Sequence, residues 1–176
     1  MSLSADDIIT ALKARHRKND REWAFFDELR VGTGYRYFDY EKGEYEPFNP
    51  EQRLDAYAIN LFRSNNYERI AYEIKVSRSD FLSEINNPDK RRQALEFSNK
   101  FYFVTPKGLL TKDEIPKECG LIEVYEEKDR LTSRIKVSAP FRETDPPPME
   151  FFLSIARRGS NAEGQLEWMR TSEQSK

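Results

Sequence analysis

Residues 53–77 read RLDAYAINLFRSNNYERIAYEIKVS. Two apolar runs, 53–62 and 69–77, flank RSNNYE, and Asn65-Asn66 supplies the turn, so the stretch predicts a β-hairpin. In the second run, alternation sets Tyr72, Ile74 and Val76 on one face and Ala71, Glu73, Lys75 and Ser77 on the other. An exposed Glu73–Lys75 pair would contribute only ~0–1 kcal/mol. If the face is covered, each charge costs several kcal/mol until it is paired, a cost tolerated mainly at a working site. Glu-x-Lys alone decides little, because Glu126 and Lys128 repeat it in a polar turn. The copy at 73–75 differs in its company: the hairpin folds Asp55 back alongside it. Two carboxylates on adjacent strands beside an ammonium form a seat for a hard divalent cation and a positioned water. The chemistry that fits is metal-assisted phosphodiester hydrolysis. Asp55 and Glu73 would hold Mg²⁺ (or Mn²⁺) with the Ile74 carbonyl and waters, while Lys75 orients or helps deprotonate the water and contacts the phosphate.

Outward from the hairpin, Ser4 and Asp7 have capping-box spacing ahead of a helix to about Lys18. Its basic end, KARHRKNDR, reads as a solvated face or a phosphate-binding patch. EWAFFDELRVGTG fits both helical and alternating spacing; strand is the preferred reading, ended by Gly32 and Gly34. The aromatic, acidic stretch 35–52 reads as an inserted loop or short hairpin. SDFLSEINNPDKRRQALEFSN is helical with a break at Asn87-Pro88. FYFVTP, GLIEVYE and RLTSRIKVS are strands, the last two paired through EKD, and MEFFLSIARR is a short helix. Strands and helices mixed in this order predict an α/β domain.

The 176 residues suit one domain, and 13% aromatic residues argue for a folded body. With a net charge of −2, nucleic-acid binding would have to come from local basic patches. One cysteine, Cys119, and one histidine, His16, leave no Cys/His zinc site and no intramolecular disulfide. Any metal would be oxygen-ligated. No apolar run approaches a membrane span and MSLSADDIIT has no signal-peptide character, so the expectation is a soluble cytoplasmic protein without membrane contact.

EIKVSRSDF, KFYFVTP, IPKECGLIEV and FFLSIARR resemble successive blocks of the MmcB-like DNA-repair branch of the PD-(D/E)XK nuclease superfamily, over residues 22–158 with gaps. The insertion 35–52 has no counterpart. The resemblance implies a restriction-endonuclease-like mixed central β-sheet flanked by helices over 1–158; the polar composition of 159–176 reads as a flexible tail. It implies Mg²⁺-dependent cleavage of DNA, in repair or a mobile-element context. Asp55, Glu73 and Lys75 take the ligand, ligand and lysine roles, and Glu28 matches an upstream acid that often completes the metal site; as a surface acid it would have no such role. The motif's leading proline is replaced by Leu54, which does not touch the metal chemistry.

Arg78 is a candidate phosphate contact, although Ser77 with Asp80, or Ser79 alone, has the spacing of a helix cap there. Lys90, Arg91 and Arg92 read as a backbone-tracking cluster or a solvated helix face, with Gln93 able to reach the cleft. The alternative function is a catalytically inactive module on the same fold that binds DNA or a repair partner. A homodimer is compatible with either reading.

Overall fold

A computed structural model describes residues 3–17, 21–31, 36–47 and 52–157. Where a single domain is expected over 1–158, the chain forms two compact units, Met1–Glu28 with Leu54–Pro146 and Leu29–Arg53 with Pro147–Lys176. The border falls inside two strands. The tail expected at 159–176 lies outside the described residues.

The fold is mixed α/β. Helix α1 (Ala5–Arg17) precedes strands β1 (Trp23–Val31), β2 (Arg36–Asp39), β3 (Glu44–Pro47), β4 (Gln52–Asn60) and β5 (Arg69–Ile74). Helices α2 (Arg78–Ile85) and α3 (Arg92–Glu96) follow, then β6 (Lys100–Pro106), β7 (Gly120–Glu127) and β8 (Arg130–Val137). A final helix, α4, covers 149–157. The six-stranded sheet has the order β1-β4-β5-β6-β7-β8. Pairs β4–β5 and β7–β8 are antiparallel, while β5–β6 and β6–β7 are parallel. No helix among the described residues is long and apolar enough to cross a membrane.

Both hairpins read from the sequence are present. In the β4–β5 connection, Arg63–Asn65 make a 3-10 turn and Asn66 takes a left-handed φ of 52°, which asparagine tolerates better than most residues. Lys128 and Asp129, with φ of 50° and 59°, turn β7 into β8. In the second unit, β2 and β3 pair antiparallel, so the 35–52 stretch contains the short hairpin; Asp39 Oδ1 accepts from the Glu41 and Lys42 N–H groups at its turn. In α4, Phe151 is buried.

In the first unit both sheet faces are covered. Ala56, Ala58, Ile70, Tyr72, Tyr102, Val104, Ile122 and Val124 meet Ile8, Ala11 and Leu12 of α1 on one face. Helix α1 starts on the expected box: Asp7 N–H donates to Ser4 Oγ at 3.2 Å, and Ser4 N–H donates to Asp7 Oδ2 at 2.8 Å. On the other face, Phe81 of α2 meets Phe103 edge-on, ring centres 5.2 Å apart, and the Tyr57 hydroxyl donates to the Phe97 carbonyl just after α3. A buried ring such as Phe81 contributes roughly 1.5–3 kcal/mol. The charged face of β5 is therefore the covered α2–α3 face.

Two residues give stability predictions. A Cβ added at Gly120 would stand 2.6 Å from the Ala139 backbone nitrogen and closer still to the Tyr102 ring. We expect Gly120→Ala to lose about 1–3 kcal/mol in urea unfolding, the range for overpacking a full core. His16 Nε2 lies 2.8 Å from the Tyr72 hydroxyl, and its ring stacks on Phe25 at 5.3 Å. Burial, with Arg15 beside it, pushes the His16 pKa down to about 4 from 6.5. The unfolded chain then binds a proton that the folded one refuses, so this contribution is present above pH 6.5 and lost as pH falls towards 4. It amounts to about 3 kcal/mol. Thermal melts of His16→Gln from pH 7 to pH 4 should lack that acid-side loss.

Candidate functional site

Asp55 and Glu73 come together through strand register. The β4–β5 ladder pairs Ala56 with Tyr72, so one step further sets Asp55 opposite Glu73. Directly opposed residues share a face, with Cβ atoms roughly 4.5–5.5 Å apart. Asp55 Oδ2 accepts the Ile74 N–H at 2.8 Å. In an extended residue the N–H and C=O point to the same side, which turns the Ile74 carbonyl towards β4 as well.

Lys75 lies just past the last residue of β5, although its N–H still reaches the Val104 carbonyl at 3.0 Å. Its ammonium donates to Glu73 Oε1 at 2.7 Å and stands 3.6 Å from Glu84 Oε2. The cluster is enclosed: the side chains of Glu73, Lys75 and Glu84 are 20%, 13% and 7% exposed. Among the described residues two carboxylates contact the ammonium, and Asp55 acts on it electrostatically. Burial and then the Asp55 carboxylate push the Glu73 pKa up to about 7, outweighing Lys75. Burial lowers the Lys75 pKa, but Glu73, Glu84 and Asp55 more than offset it and hold it above the ordinary lysine value. Lys75 is therefore an ammonium at neutral pH.

Glu84 is absent from the sequence reading of the site. Helix α2 begins because Ser77 is extended, with φ −130° and ψ 152°, and its side chain accepts the Asp80 N–H. From that start Phe81 and Glu84 fall three residues apart on the inward face, and both are buried. The inward anchor Phe81 is the signal that could have flagged Glu84.

The donor set fits a hard cation. The excess of carboxylate over ammonium leaves negative charge to be balanced, and the raised Glu73 pKa is its signature. Asp55 Oδ1 and Glu73 Oε2 have no hydrogen-bond partner among the described residues. No group of three or more His, Cys, Asp or Glu side chains among those residues is arranged to hold a metal ion. Glu28 accordingly does not join the pair; it sits exposed on β1 at a left-handed φ of 47°. Glu84 stands behind Lys75. A cation would rest on Asp55 and Glu73, with the Ile74 carbonyl and waters completing its shell.

The expected nucleic-acid contacts separate. Arg78 is exposed but forks onto Glu114, whose own carboxylate caps Thr111. Arg91 departs from the expectation of a surface cation: it is 7% exposed, donates to the Glu84 carbonyl at 3.2 Å and pairs with Glu118. Arg92 is exposed and lies 3.8 Å from Asp89. Lys90 is exposed with no ion pair among the described residues. Gln93 Oε1 is buried without a hydrogen-bond partner. Helical geometry separates Arg91 from Arg92, since a 100° turn carries one inward and the other out.

No protein family pattern and no curated protein matches this chain. Among solved structures it is similar to the SPO1766 protein of unknown function from Silicibacter pomeroyi, with 17% sequence identity, a TM-score of 0.57, and coverage of 98% of this chain and 96% of that one. At that identity the likeness carries the fold alone.

Proposed function

We propose that the protein is a metal-dependent nuclease acting on DNA, in the manner of the PD-(D/E)XK enzymes that its motifs resemble. One observation carries this reading: Asp55, Glu73 and Lys75, from two neighbouring strands, share one partly enclosed cluster that contains more carboxylate than ammonium. A bound Mg²⁺ would lower the pKa of a coordinated water and neutralise charge on the phosphoryl oxygens. Asp55 and Glu73 bind and orient that group. Lys75, charged at neutral pH, is a proton holder and electrostatic donor towards the phosphate or the water, rather than a base. Such an enzyme would work in the cytoplasm, where nucleic acid is within reach.

The test is cleavage of single-stranded, double-stranded, nicked and branched DNA with Mg²⁺ or Mn²⁺. We expect cutting that EDTA stops and that Asp55→Asn lowers by about 100-fold or more. Equal cutting by wild type and Asp55→Asn would refute the reading. The pairing of Arg78, Arg91 and Arg92 with acids favours a second reading, a non-catalytic module that binds a repair partner. It would gain if divalent ions bound independently of Asp55 and Glu73.

A further inference from the structure

The basic end of α1 meets β1 at a small hollow that the proposed nuclease chemistry does not use. It measures about 240 Å³ and is lined by Lys13, His16, Arg17, Trp23 and Phe25. That is below the ~300–1,000 Å³ of a whole-ligand pocket and suits one planar ring system. Its floor is aromatic: His16 stacks on Phe25 with an interplanar angle of 29°, and the Trp23 ring centre lies 5.2 Å from that of His16. The His16–Tyr72 hydrogen bond fixes the imidazole, so the floor is built before any ligand arrives.

The rim is cationic. Lys13 is paired with Asp27, whereas Arg17, exposed at the end of α1, has no ion pair among the described residues. Arg17 sets a guanidinium beside three aromatic rings. Basic residues in a last helical turn also complement the helix dipole, and an anion gains nothing from the nearby helix carbonyls. Any anion here must be held by the Arg17 guanidinium itself. A ligand that is flat and apolar in one part and anionic in the next meets both halves of the hollow, and an unpaired nucleotide has that form.

We propose that this hollow binds one unpaired nucleotide of a single-stranded nucleic acid, the base against Trp23, Phe25 and His16 and the phosphate on Arg17. Tyr72 and Glu73 are neighbours in β5 and point to opposite faces of the sheet, so this site and the Asp55–Glu73–Lys75 cluster lie on opposite faces. The assignment stands whether or not that cluster hydrolyses anything.

Binding is measured on the full chain in EDTA, which removes cleavage from the readout. Trp168→Phe leaves Trp23 as the single tryptophan of the two in the sequence. Ten-residue oligothymidylate should quench Trp23 fluorescence saturably. Arg17→Glu, an exposed change that leaves the core intact, should weaken binding about tenfold or more, and Trp23→Leu, read by labelled strand, by a similar factor. Comparison with oligouridylate assigns the site to DNA or RNA by the tighter strand. Absence of quenching, full competition by inorganic phosphate alone, or unchanged affinity in Arg17→Glu would overturn the proposal.

Discussion

Lys75→Ala is expected to reduce metal-dependent cleavage by about 10²–10³-fold or more, the range for removing a preorganised electrostatic donor. It should also weaken the fold. Its ammonium pairs with Glu73 and Glu84, and truncation strands buried carboxylates. Breaking a buried pair from one side costs about 3–5 kcal/mol. At pH 8 the loss should approach that range in urea unfolding. At pH 5 it should shrink, because the stranded carboxylates can bind protons. Lys75→Met combined with Glu84→Gln removes both charges of the 3.6 Å contact and should recover part of the stability while leaving cleavage lost. A double variant that stays as unstable as Lys75→Ala would show that Glu84 is not coupled to the lysine.

Glu73→Gln should stabilise the metal-free protein at alkaline pH, an unusual direction for a buried polar substitution. Its pKa stands near 7 in the folded chain against an ordinary 4.5. Between those values the folded protein holds a proton that the unfolded chain has released, so stability is lost as pH rises through this window. Glutamine mimics the protonated form and removes the loss. The slope opposes that of His16, whose contribution grows as pH rises from 4 to 6.5. In EDTA the parent should therefore show a shallow dependence on pH, Glu73→Gln a rise towards neutrality and His16→Gln a fall. Identical pH profiles in all three would contradict these electrostatics.

The strands were legible because their pattern is local. Alternation and turn residues mark both hairpins, Pro88 marks the break after α2, and Ser77 marks where α2 begins. Asp55 and Glu73 could be joined on paper because the short Arg63–Asn65 connection fixes their register. What stayed hidden depends on contacts distant in sequence. The Arg78–Glu114 pair spans 36 residues and no local pattern announces it. Glu84 and Arg91 lie in charged helical surroundings where inward and outward positions look alike; only packing on Phe81 and the pairing with Glu118 decide them.

Titration calorimetry of Mn²⁺ into the parent, Asp55→Asn and Glu73→Gln tests the central claim most directly, because it needs no substrate. The account predicts one site in the parent, weakened by about 100-fold or more in each variant, with proton release on binding near pH 7 as the cation displaces the proton that Glu73 partly holds. No Mn²⁺ binding by the parent, or equal binding by all three proteins, would contradict it.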